Sequence, residues 1–120
     1  MMYEVMIESM FSAAHHLLNY EGKCENPHGH NFVVRVWARK ATLDVANVSI
    51  DYKVLKASLR EIMNDLDHTD LNENPCINGE SPSSEYLCKY IYHRMKQTIP
   101  EIYKTCVYET PTQCCFYWED

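Results

Sequence analysis

The sequence predicts an α+β domain in the order β-β-α-α-β-β, a four-stranded antiparallel sheet with two helices on one face. Three observations carry that prediction. Two runs near the amino terminus alternate with a period of two, the middle of the chain switches to the three-to-four-residue spacing of amphipathic helices, and the tail returns to alternation around a proline-containing turn.

The first strand is expected over residues 3 to 11, where Val5, Ile7 and Ser9 oppose Glu4, Met6 and Glu8. A loop carrying Asn19, Gly22, Asn26 and Pro27 follows. Residues 31 to 40 are rich in β-branched and aromatic side chains, with Val33, Arg35 and Trp37 opposite Phe32, Val34 and Val36, and read as the antiparallel partner. Residues 41 to 49 are irregular and end in a short extended piece at Val48 to Ile50. From Asp51, placed as a helix cap, Val54, Leu55, Leu59, Ile62, Met63 and Leu66 form one apolar stripe to about Asp67. The Asn, Pro and Gly content of residues 72 to 81 cannot continue that helix. Pro82, Ser83, Ser84 and Glu85 suit a second helix start, with Leu87, Tyr90, Ile91 and Met95 on its apolar side and Pro100 closing it. Residues 102 to 109 and 113 to 118 complete a hairpin across Thr110, Pro111 and Thr112. With 120 residues, no internal repeat and no linker, the chain is expected to form a single domain over residues 1–120.

Composition narrows the functional classes. A net charge of -6 and eleven scattered Lys and Arg argue against nucleic acid as a partner, because a phosphate backbone requires clustered cations. No apolar run approaches the roughly 20 residues of a membrane span, and the amino terminus lacks the pattern of a secretory signal. A cytoplasmic protein with free thiols is the expectation; its six cysteines contain no CxxC pair.

The chemistry concentrates between His15 and His30. Cys24, Glu25, Asn26, Pro27, His28, Gly29 and His30 follow the His15-His16 pair, gathering four of the six histidines with a thiol and a carboxylate. Side chains two apart on a strand share a face, so His28 and His30 can converge on one ion, and His15 or His16 can supply a third imidazole. Three imidazoles with an open position form a catalytic zinc arrangement, whereas a structural zinc is closed by four ligands and usually includes paired cysteines.

Six segments in order resemble the zinc-dependent 6-pyruvoyltetrahydropterin and 6-carboxytetrahydropterin synthase family: Phe11 to His15, Cys24 to His30, Ile50 to Tyr52, Leu66 to Asn72, Pro82 to Glu85 and Tyr108 to Thr110. The resemblance implies the tunnelling fold, a homotrimer or dimer of trimers, and sites at subunit interfaces. It also implies Zn2+ held by His15, His28 and His30, with His15 selected over His16 because the family's ligand directly follows the Ala-Ala pair. Glu109 would anchor the pterin, its carboxylate matching the adjacent N–H donors of a 2-amino-4-oxo-pyrimidine ring. Cys24 would be the catalytic base and His68, oriented by Asp67, its acid-base partner. The family usually has Pro-Thr before the second helix, whereas here Pro82 is followed by Ser83 and Ser84; a hydroxyl is retained, and Ser84 is expected to contact substrate.

The three-residue gap between Cys24 and His28 resembles the carboxytetrahydropterin branch of the queuosine pathway. The implied reaction converts 7,8-dihydroneopterin triphosphate to 6-carboxytetrahydropterin, releasing acetaldehyde and triphosphate. Glu25 resembles the branch forming 6-hydroxymethyl-7,8-dihydropterin for folate synthesis, so Cys24-Glu25 satisfies both patterns. Pyruvoyl product formation, a noncatalytic zinc- or pterin-binding module and a zinc-stabilised structural domain are the other readings.

Overall fold

The structure is a computed structural model that describes residues 1–22 and 26–120. Cys24 and Glu25 therefore lie outside the described residues.

Alternation along the first two strands produces a long antiparallel hairpin. β1 (Tyr3–His15) and β2 (His28–Lys40) pair in continuous register from Tyr3 opposite Lys40 to His15 opposite His28. Ile7, Phe11, Ala13 and His15 turn inward from β1, and Phe32, Val34, Val36 and Ala38 from β2. Both strands reach beyond the sequence-based bounds. Ala13, Ala14 and Gly29 have little intrinsic strand preference, and cross-strand pairing extends the ladder through them.

Helix α1 (Tyr52–Leu66) starts where Asp51 Oδ1 accepts a hydrogen bond from the Lys53 N–H at 2.8 Å. Its buried side is Leu55, Leu59, Ile62, Met63 and Leu66. Residues Val48 to Ile50 form no strand. Asp44 closes a turn there, accepting the Ala46 and Val48 N–H groups on one carboxylate oxygen.

The expected four-stranded antiparallel sheet is instead five-stranded and mixed. A two-residue strand, β3 (Thr69–Asp70), runs parallel to β1 beside Ala13 and Ala14. It forms because the chain leaving α1 returns along the β1 edge, where the His68 and Leu71 N–H groups donate to the carbonyls of Ser12 and Ala14. Helix α2 (Ser84–Thr98) is capped by Ser83, whose Oγ accepts the Tyr86 N–H at 3.1 Å. β4 (Ile102–Thr110) and β5 (Gln113–Trp118) finish the sheet in the order β3-β1-β2-β4-β5.

Both helices pack on one face, and their apolar stripes join Ile7, Phe11, Phe32, Val34, Val36 and Val107 in one core. The opposite face leaves Met6, Met10, Phe116 and Trp118 exposed, and the outer edge of β5 has no partner strand among the described residues. No described helix is long and apolar enough to cross a membrane.

Candidate active site

The continuous β1–β2 register decides the site. His15 opposes His28, and His30 follows two residues along β2, so all three imidazoles stand on the helix-facing side at one end of the sheet. Glu109, near the end of β4, reaches the same point. His15, His28, His30 and Glu109 can each offer a ligand atom, all within 4.8 Å of one another. Glu109 Oε1 lies 3.4 Å from His15 Nε2, 2.9 Å from His30 Nε2 and 4.0 Å from His28 Nε2.

The local surroundings prepare these atoms as ligands. His15 Nδ1 donates to the Pro82 carbonyl and His28 Nδ1 to the Asn26 carbonyl, each at 2.7 Å. Those bonds hold the proton on Nδ1 and leave each Nε2 lone pair directed at the cluster. The Nε2 atoms of His15 and His30 are buried and have no hydrogen-bond partner among the described residues. A buried polar atom without a partner is costly, and a cation among these lone pairs would satisfy it. Tetrahedral zinc, with bonds of about 2.0–2.1 Å, separates its ligands by about 3.3 Å, close to the spacing around Glu109 Oε1. Three imidazoles and a carboxylate therefore fit zinc.

Burial of His15 (1% exposed) lowers its pKa, outweighing the Pro82 carbonyl and the Glu109 charge that act in the opposite sense. The native imidazole stays neutral where the unfolded one, with a value of 6.5, takes up a proton. Stability of the metal-free protein is therefore expected to fall as pH drops below 6.5 toward the lower native value. Urea unfolding in chelator across that range checks the slope, which His15→Gln should flatten.

His16 stays outside the cluster. Its backbone is held by Asn72, which accepts the His16 N–H at 2.8 Å and donates to the His16 carbonyl at 3.0 Å. In the sequence Asn72 only closes the Leu66 to Asn72 segment, and its clamp on the His16 backbone is visible only in the tertiary contacts. Asn72→Ala removes both bonds and frees the chain next to His15, with an expected cost of about 1–3 kcal/mol in denaturant unfolding. Phe32 was also missed. It lies beneath the site, its ring 5.3 Å from His15 and 5.5 Å from His30 in edge-on contacts.

Asp67 and His68 are not part of the ligand cluster. Asp67 Oδ1 accepts the Ser12 N–H at 2.8 Å, while Oδ2 lies 3.5 Å from His68 Nε2. One oxygen thus anchors the carboxylate to β1 and the other faces the imidazole. His68 is 82% exposed, with its backbone in the left-handed region at φ 56°. It shares an open cleft of about 430 Å³ with Ser12, Gly29, His30 and Asn31. Ser84 and Glu109 meet at a second cleft of about 240 Å³, with Glu85, Gln113, Cys114 and Cys115.

Comparison with known proteins agrees with the architecture. Residues 4–120 match the family described as 6-pyruvoyl tetrahydropterin synthase. The chain is 35% identical to a 6-carboxy-5,6,7,8-tetrahydropterin synthase of Synechocystis sp., with 98% of this chain and 94% of that protein covered. It is 31% identical to the human 6-pyruvoyl tetrahydrobiopterin synthase over 89% of this chain and 85% of the human protein. The Caenorhabditis elegans 6-pyruvoyl tetrahydropterin synthase structure superposes with a TM-score of 0.91 at 24% identity, covering 99% of this chain and 96% of that one. A sheet with two helices on one face and a match along nearly its whole length place this chain in the 6-pyruvoyl tetrahydropterin synthase family of lyase-type enzymes.

Proposed function

We propose that the protein converts 7,8-dihydroneopterin triphosphate and water to 6-carboxy-5,6,7,8-tetrahydropterin, acetaldehyde and triphosphate in a zinc-dependent reaction of queuosine biosynthesis in the cytoplasm. The observation that carries this reading is the convergence of His15, His28, His30 and Glu109 beside a cleft. The likeness to the Synechocystis carboxytetrahydropterin synthase favours this product.

His15, His28 and His30 would hold the ion. Zinc would supply Lewis acidity to the substrate's side-chain hydroxyls, making them and the neighbouring C–H more acidic. Glu109 and Ser84, which share the smaller cleft, bind the pterin ring and fix its orientation. Cys24 takes a side-chain proton as general base. His68, oriented by Asp67, delivers or removes the partner proton.

Because His68 stands outside the ligand cluster, we place the complete site between subunits of a homotrimer or dimer of trimers. The outer edge of β5, unpaired among the described residues, and the exposed Met6, Met10, Phe116 and Trp118 support such an assembly, since a monomer rarely leaves an open edge beside apolar side chains. Light scattering after size exclusion reads the subunit number, and a monomer with full activity refutes the placement.

Incubating the zinc-loaded protein with dihydroneopterin triphosphate and identifying the product by mass tests the reaction. A carboxy product supports the proposal; a pyruvoyl or hydroxymethyl product replaces it with the sister reaction, and absence of turnover reduces the chain to a binding module. Cys24→Ala is expected to abolish product formation, and unchanged turnover removes Cys24 from its role as base.

A further inference from the structure

Asp67 and His68 sit on a turn that is fixed from two sides. On the sheet side Ser12 holds both residues: its N–H donates to Asp67 Oδ1 at 2.8 Å, and its carbonyl accepts the His68 N–H at 2.6 Å. On the other side stands Asn74, a polar residue only 7% exposed. Its Nδ2 donates to the Asp65 carbonyl at 2.8 Å and to Thr69 Oγ1 at 3.1 Å, so one amide nitrogen bridges the two flanks of the turn. Asn74 Oδ1 accepts the Cys76 N–H at 2.9 Å, which fixes the orientation of the amide. Thr69 Oγ1 in turn donates to the Leu66 carbonyl at 2.7 Å. Both N–H groups and the carbonyl of this buried amide are thus engaged.

We infer that Asn74 is a positioning residue for the acid-base pair: by tying Asp65 to Thr69 it keeps His68 left-handed, with its imidazole beside Asp67 in the cleft shared with His30 and Asn31. This inference rests on the role given to His68 above. A residue other than glycine at φ 56° lies in a sparsely populated region and stays there only when its surroundings hold it. His68 cannot hold itself, because a side chain 82% exposed gains little from packing. The Asn74 bridge spans the point where α1 ends and β3 begins, and so sets the path that His68 must follow between them. A general acid or base works only within hydrogen-bond reach of its proton, so a small change in that path costs rate rather than binding. None of the Asn74 bonds involves a residue of the ligand cluster, and metal retention should not depend on them.

Amide hydrogen exchange and steady-state turnover of dihydroneopterin triphosphate by the full-length, zinc-loaded protein test this. Asn74→Ala, and Thr69→Val, which removes only the hydroxyl, are expected to speed exchange of the His68 N–H at least about tenfold. Both should lower kcat about tenfold or more with KM and metal retention unchanged, since a displacement of about 1 Å can cost about 100-fold. Thr69→Ser keeps the hydroxyl and should restore exchange and kcat to the wild-type values. In a His68→Ala background Thr69→Val should lower the residual kcat no further, because a group that acts through His68 has nothing left to act on. A folded Thr69→Val protein with wild-type kcat overturns the inference, as does a loss that adds in full to that of His68→Ala. The Thr69 variants decide even where Asn74→Ala does not fold. His68→Ala separates the two levels: if it turns over as fast as wild type, or if wild type forms no product, the role given to His68 fails and the inference with it.

Discussion

Replacing His30 with alanine is expected to leave a folded protein that has lost at least about 100-fold in zinc affinity, since losing even an outer-shell partner costs 10–100-fold. His30 Nε2 has no hydrogen-bond partner among the described residues, and the one pairing its removal breaks, the 2.9 Å contact with Glu109 Oε1, lies at the site and not in the apolar core. The core beneath is apolar and continuous from β1 through both helices to β4. The remaining His15, His28 and Glu109 cannot supply a third imidazole. A chelator competition reads the affinity and circular dichroism the fold. Loss of secondary structure in His30→Ala, or on stripping the metal from wild type, would instead identify a structural ion.

Phe32→Ala is expected to destabilise the metal-free protein by about 3–5 kcal/mol, the range for deleting a buried aromatic ring. Phe32 is fully buried and stacks on Phe11 with centroids 4.7 Å apart and planes 13° from parallel. Its other side meets the edges of His15 and His30. The substitution therefore acts twice: it opens a void in the core and withdraws the surface that sets two imidazoles at their angles. Zinc affinity should fall about tenfold although no ligand is touched, as for other groups that orient ligands. Urea unfolding in chelator measures the first effect and chelator competition the second. Phe32→Leu, which keeps most of the volume, should recover most of the stability but not the edge-on contacts.

Much of the fold was legible because its causes are local. The stripe from Leu55 to Leu66 and the cap at Asp51 describe α1 without reference to any other part of the chain. Ser83 performs the same task for α2. Alternation in β1 and β2 separated the two faces of each strand, and the two-residue spacing put His28 and His30 on one face once pairing extended β2 back to His28. The short strand β3 left no such signal. Two residues carry no period, and they become a strand only because β1 offers carbonyls beside them.

The site divides along the same line. The family resemblance named His15, His28, His30 and Glu109, yet no periodicity relates Glu109 to histidines so far back in the chain. Strand order and register bring β4 beside β2 and set Glu109 Oε1 against three Nε2 atoms. The Pro82 carbonyl that fixes His15, the Asn72 clamp and the placement of His68 outside the cluster likewise arise from contacts between distant segments. The sequence by itself determined which residue types were present and which face of each element they occupy, because side-chain direction repeats with the backbone period. Only the tertiary structure decided which faces meet, because cross-strand register and packing depend on hydrogen bonds and contacts that local periodicity does not encode.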